Sequence, residues 1–191
     1  MSVMTATRSA GIPQGRPFTV DDLEAMPDDG NRYELIDGML VVSPAPGMRH
    51  QKIVAKVLVA LDAVCSDRLH VFPAPFAVRT STTTELQPDV LVARDEDLTE
   101  KLLPVAPLLA VEVLSPSSVI NDLNNKKAAY ERMGVASYWV VDPQAPSIAV
   151  FELSDGRYEQ IAEVKGTDVL SVERPFPVRI VPTELLGTLA P

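Results

Sequence analysis

Three residues in this sequence carry reactive side chains in surroundings that do not suit them. Glu112 stands in "LLAVEVLSPSS" between Val111 and Val113, inside an otherwise apolar run. Asp89 opens a second apolar run in "QPDVLVA". Lys126 lies in "DLNNKKAAYERMG", where Leu123, Tyr130 and Met133 fall on one helical stripe and position 126 shares it. A carboxylate or an ammonium buried alone carries a large desolvation cost, so each of the three needs an opposite charge or a metal ion.

Two accounts fit the spacing, and it leaves both open. If the strands holding Asp89 and Glu112 pair, their carboxylates converge at one sheet edge. Converged carboxylates repel unless a divalent cation lies between them, and a few oxygen ligands with room for water suit Mg²⁺. Lys126 then orients a water or neutralises a developing negative charge. In the other account Lys126 and Glu112 form a buried ion pair that satisfies both groups and adds little net stability. Glu34, in "YELIDG", points away from Tyr33 and Leu35. Alternation alone makes it a solvent-facing residue.

These positions must be held by recognisable elements. Residues 1–16 are polar and aperiodic, and read as a tail ahead of one domain spanning 17–191. "FTVDDLEAM" gives a short helix with Thr19 as N-cap, and Asp37-Gly38 sits between two strand-like runs as a hairpin turn. "MRHQKIVAKVLVALDAVC" carries Ile53, Val57, Leu61 and Val64 at helical spacing. "HVFPAPFAVRTS", "PDVLVA" and "LLAVEVLS" read as strands. The helix of Lys126 follows, N-capped by Asn121 or Asp122 and stopped by Gly134. Lys127, about 100° further round this helix, is expected in solvent. "SYWVVDP", "SIAVFEL", "GRYEQIAEV" and "VLSVERPFPVRIV" continue as hairpin-like strands. The order implies an α/β fold, a mixed β-sheet flanked by helices with an antiparallel β extension at the C-terminus.

Composition narrows the function classes. A net charge of −9 argues against an extensive basic nucleic-acid-binding face, although Arg49, Lys52 and Lys56 form a local basic patch. The one cysteine, Cys65, has no internal disulfide partner, the first residues lack an apolar signal core, and no apolar run is long enough for a membrane helix. The expectation is a cytoplasmic protein without a membrane partner. A phosphate loop, a zinc-protease motif, a nucleophile elbow and a C-x-x-C pair are all missing from the sequence. His50, His70 and Cys65 are too few for a structural zinc site.

Taken together, "YELIDGMLVVSPAPGMRHQ", "QPDVLVA", "LAVEVLSPSS" and "DLNNKKAAYERMGVASYWVVDP" resemble the PD-(D/E)XK nuclease superfamily and, within it, the Uma-type family of restriction-endonuclease-like proteins. The resemblance implies a restriction-endonuclease-like fold in which Asp89 and Glu112 bind the metal and the Val113 backbone carbonyl adds a ligand. Glu34 matches the acid that the superfamily carries on its first element, a further metal-binding candidate. The superfamily usually has lysine two residues after the second acid, where this chain has Leu114. The family resembled moves that lysine to the next helix in a D-x-x-x-K-x-x-x-Y pattern, matched by Asp122, Lys126 and Tyr130. His50, one turn before Ile53, faces the same cleft, and His50, Gln51 and Tyr130 are accessory candidates.

The implied reaction is Mg²⁺- or Mn²⁺-dependent hydrolysis of phosphodiester bonds, with DNA as substrate and a homodimer as the working form. Arg49, Lys52 and Lys127 are candidates for backbone phosphate contacts. A nuclease fold that has lost catalysis and binds nucleic acid or protein is the alternative, favoured by the acidic charge and by Leu114. A purely structural role, in which the β-rich C-terminal segment pairs with a second copy, is a third reading.

Overall fold

The computed structural model describes residues 15–115 and 121–189, with only the backbone described at 121–123. The expected tail therefore lies almost wholly outside the described residues, as do the side chains of the expected caps Asn121 and Asp122. The short helix α1 (Val20–Glu24) has Thr19 as N-cap, with Asp22 completing a capping box. Strands β1 (Arg32–Ile36) and β2 (Met39–Ser43) form the hairpin, with Ile36 opposite Met39. Asp37 and Gly38 both have positive φ, 50° and 79°, as a two-residue type I′ turn requires. A Cβ at Gly38 would also collide with Pro17, so glycine is required there on two grounds.

Helix α2 (Met48–Asp62) buries Ile53, Val57 and Leu61 as its spacing predicts. It ends before Val64, which is 48 % exposed and not part of the stripe. "HVFPAPFAVRTS" is not one strand. It divides at Ala74-Pro75-Phe76 into β3 (Leu69–Pro73) and β4 (Ala77–Ser81), because proline has no N–H to continue a ladder. Short strands β5 (Thr84–Leu86) and β7 (Leu102–Leu103) flank β6 (Val90–Arg94), and β8 (Leu109–Val113) follows.

Helix α3 (Asn121–Met133) ends at Gly134, whose φ of 84° ends the helix in the left-handed region. Strands β9 (Ser137–Asp142), β10 (Ser147–Ser154) and β11 (Arg157–Lys165) come next, then β12 (Leu170–Val172), β13 (Val178–Ile180) and α4 (Pro182–Leu186).

The strands build a six-stranded sheet, ordered β11-β10-β9-β8-β6-β3, and a five-stranded sheet, ordered β2-β1-β5-β4-β7, with β12 and β13 as a separate ribbon. In the larger sheet β8 and β9 are parallel and joined through α3, and the other pairs are antiparallel. The mixed sheet, its flanking helices and the antiparallel β9–β11 extension agree with expectation. The second sheet is the addition: β5, β4 and β7 join the β1–β2 hairpin, and β5 and β7, three and two residues long, are too short to show a period. Alternation sends Val111 and Val113 into the core beneath α2 and Ala110 into the core beneath α3 with Tyr130 and Tyr138. Glu112 therefore faces α3 as well. Among the described residues no helix is long and apolar enough to cross a membrane.

Candidate active site

The register of β6 on β8 pairs Val90 with Val111, so Asp89, one residue earlier, lies beside Glu112 and Val113 at the end of both strands. The Val113 N–H donates to Asp89 Oδ2 at 2.8 Å. His50, in the first turn of α2, places Nε2 3.0 Å from the same oxygen, and the Arg32 guanidinium donates to Asp89 Oδ1 at 2.9 Å. Burial alone would raise the Asp89 carboxyl. The His50 contact, the Arg32 charge and the Val113 N–H outweigh it and hold the group at about 2.

Glu112 occupies the other half of the cluster. It accepts from the Tyr130 hydroxyl at 2.7 Å and from Lys126 Nζ at 3.2 Å. Burial pushes its carboxyl up to about 7 despite the pull of Lys126, and the neighbouring Asp89 and Glu34 add to the rise. Lys126 is raised: burial opposes its charge, but Glu112 and Glu34 more than compensate. Tyr130 is pushed well above the usual phenol range by burial and by the same two acids, so it remains a hydroxyl donor.

Lys126 also donates to Glu34 Oε1 at 3.0 Å, and the Gln87 N–H donates to that oxygen at 2.8 Å. Glu34 is 0 % exposed, which overturns the solvent-facing reading from alternation. Strand β1 is covered on both faces, since Leu35 packs with α1 while Ile36 joins the core under α3. Asp89, Lys126 and Glu112 are 2 %, 4 % and 5 % exposed. All four expected catalytic side chains thus meet in one buried cluster, with His50 and Tyr130 bonded to its carboxylates. Gln51, one position after His50, is exposed beside it, and among the described residues it makes no hydrogen bond to the cluster.

Arg32 completes the cluster and is not marked by any motif. Its charge is supported against burial by Glu34, Glu112 and Asp89. The available signal was alternation on β1, which puts Arg32 on the face of Glu34 two residues away. Lys127 departs from expectation in the other direction. It is half-buried, with Nζ 3.6 Å from the centre of the Phe151 ring, because β10 packs against that flank of α3.

A cavity of about 810 Å³ adjoins the cluster and is lined in part by Arg32, His50 and Asp89. Glu34, Asp89 and Glu112 face two permanent cations, Arg32 and Lys126, with His50 beside Asp89. Glu34 Oε2 is held by charge, 2.9 Å from Lys126 Nζ and 3.6 Å from Arg32 Nε. A cluster of buried carboxylate oxygens fits a hard divalent cation in kind. Among the described residues, no group of three His, Cys, Asp or Glu side chains is already arranged as a metal cage. Arg32 and Lys126 lie on the carboxylates instead.

No curated protein matches this chain. A crystal structure described as a "putative nuclease belonging to DUF820" from Anabaena variabilis ATCC 29413 superimposes with a TM-score of 0.74 at 19% identity, covering 91% of this chain and 99% of that one. At that identity the likeness establishes the fold. The family model Uma2, described as "Putative restriction endonuclease", matches residues 20–184, which contain every member of the acid cluster. By that match, the chain belongs to the Uma2 family.

Proposed function

We propose that this protein is a metal-dependent endonuclease that hydrolyses phosphodiester bonds in DNA, with Glu34, Asp89, Glu112 and Lys126 as its catalytic residues. The observation that carries the reading is the convergence of these four side chains at the paired ends of β6 and β8, beside an open cavity. Asp89 and Glu112, with the Val113 carbonyl and Glu34 nearby, are the residues that would hold Mg²⁺ or Mn²⁺. A cation bound there supplies a water of lowered pKa and a Lewis acid for the phosphoryl oxygen.

The chain's own groups do the rest. Lys126, held between Glu34 and Glu112, offers a fixed positive charge to the negative charge that develops on the phosphate. Tyr130 fixes the rotamer of Glu112, and His50 fixes that of Asp89, which makes both positioning residues. The reading extends to a cytoplasmic homodimer whose two copies address the two strands.

A second reading, a binding module that does not cleave, has one observation in its favour: Arg32 and Lys126 already neutralise most of the acid cluster. Incubating supercoiled plasmid with purified protein and Mg²⁺ or Mn²⁺ separates the two. Nicking that requires the metal and disappears in Asp89→Asn and Lys126→Met supports the nuclease. An inert wild type that also fails to bind metal by calorimetry supports the module.

A further inference from the structure

We propose that the cavity beside the acid cluster is a nucleobase pocket, so that the substrate presents an unpaired or extruded nucleotide at the cleavage position. The inference rests on the nuclease reading and deepens it.

The cavity's 810 Å³ falls within the roughly 300–1,000 Å³ typical of small-molecule sites. Its walls are mainly apolar and stiff. Pro44 and Pro46 from the loop before α2, Pro75 from the turn between β3 and β4, Val54 and Leu58 from α2, and the Tyr33 ring line it. The Tyr33 ring suits the π-face of a base, which stacks without regard to sequence, and the prolines add rigid apolar walls around it. Polar groups are few. Asn31, Gln51 and Gln87 can address base edges, and His50, 9 % exposed, keeps Nδ1 without a hydrogen-bond partner.

The charge distribution selects among nucleic-acid forms. Arg32 is the one Lys or Arg among the described residues lining the cavity, and it lies where the cavity meets Asp89. It marks a single phosphate position at the acid cluster. Beyond it the lining includes Glu24, Asp28 and Glu85, of which Glu24 and Glu85 are paired with Arg79. With one cation at the acid cluster and no second one among the described residues of its lining, the cavity offers no partner to the closely spaced phosphates of a continuous duplex. It accepts one phosphate with its base turned away into the apolar space, and unstacking costs least where the nucleotide is already unpaired.

The test uses the full-length protein in EDTA, so that binding is read without cleavage. Fluorescence anisotropy compares a short fluorescein-labelled oligothymidine with a duplex of equal length. Wild type is set beside Ala55→Leu and Ala45→Leu, two exposed positions in the lining where a branched aliphatic side chain narrows the apolar space and offers no π-face for stacking. Circular dichroism verifies that the variants are folded, and either folded variant suffices.

The expected result is that wild type binds the single strand more tightly than the duplex. Narrowing the cavity should weaken single-strand binding by roughly tenfold or more, as expected for the loss of one base stack, and leave duplex binding unchanged. Equal affinity for the two forms, or single-strand binding indifferent to the added leucine, overturns the pocket. So does absence of binding to either form. Plasmid nicking is scored separately. A wild type that nicks but fails the binding test refutes the pocket alone, whereas one that passes the binding test but never nicks refutes the nuclease alone.

Discussion

Glu112→Gln tests whether the buried carboxylate is held at a cost to stability. In the folded protein the group is raised to about 7 from an ordinary value of 4.5. The folded state thus binds this proton more tightly than the unfolded chain does, and stability falls as pH rises from the ordinary carboxylate range through about 7. Each tenfold preference of the folded state for the protonated form is worth about 1.4 kcal/mol, so holding the anion in place costs on the order of a few kcal/mol. Glutamine keeps the shape of the protonated acid and can still accept from the Tyr130 hydroxyl, but it has no charge to desolvate. In EDTA, wild type and variant should unfold at the same urea concentration near about pH 5, and the variant should be the more stable by on the order of a few kcal/mol at about pH 8. The buried Trp139, the single tryptophan, reports unfolding by fluorescence. The opposite slope from Asp89, held at about 2, lies at lower pH, where its stabilisation fades as it protonates. It is common to both proteins. A variant less stable than wild type at high pH would refute the reasoning, because truncating a stabilising buried ion pair leaves Lys126 short of a partner.

Three further outcomes follow from the same geometry. Mg²⁺ or Mn²⁺ at about one hundred times its Kd should stabilise wild type by about 2.7 kcal/mol, with little effect on Asp89→Asn; a thermal melt with and without EDTA measures it. Tyr130→Phe removes the hydroxyl that positions Glu112 and should cost about 1–3 kcal/mol in urea unfolding while lowering kcat more than it changes KM. Gly38→Ala should destabilise by about 1 kcal/mol or more, since it adds a side chain at positive φ against Pro17, and should lower the melting temperature without changing activity per folded molecule.

The parts of this molecule that were legible in the sequence are those where one local rule acts alone. The Asp37-Gly38 turn, the stripe of α2 and the stop at Gly134 each follow from a few adjacent residues. Lys126 was legible because a charge on an apolar stripe conflicts with its surroundings, and a conflict of that kind points to a function. Glu34 was misjudged by alternation because the rule assumes one wet face, whereas β1 is covered on both. Arg32 was missed because its partner Asp89 is 57 residues away, and arginine at a strand start is unremarkable until the strand's neighbours are known. Lys127 was misplaced for the same reason, since only the packing of β10 reveals Phe151 beneath it.

The acid cluster also joins the two sheets. Glu34 lies on β1 of the smaller sheet and Glu112 on β8 of the larger, and Lys126 on α3 bridges them across 92 residues of sequence on one side and 14 on the other. Arg32 repeats the link from β1 to Asp89 at the start of β6. Contacts of such long sequence separation join the two sheets, so the cluster is complete only when both are in place. Removing the Lys126 charge leaves Glu34 and Glu112 buried without their shared cation, so it disturbs the junction along with the proposed catalysis, and the loss exceeds the worth of the pair. Neutralising Lys126 and Glu34 at once, as Lys126→Met with Glu34→Gln, should recover much of the stability lost by Lys126→Met alone while leaving cleavage abolished. That separation of fold from activity assigns Lys126 and Glu34 to chemistry; a double variant that recovered cleavage along with stability would assign the pair to the junction instead.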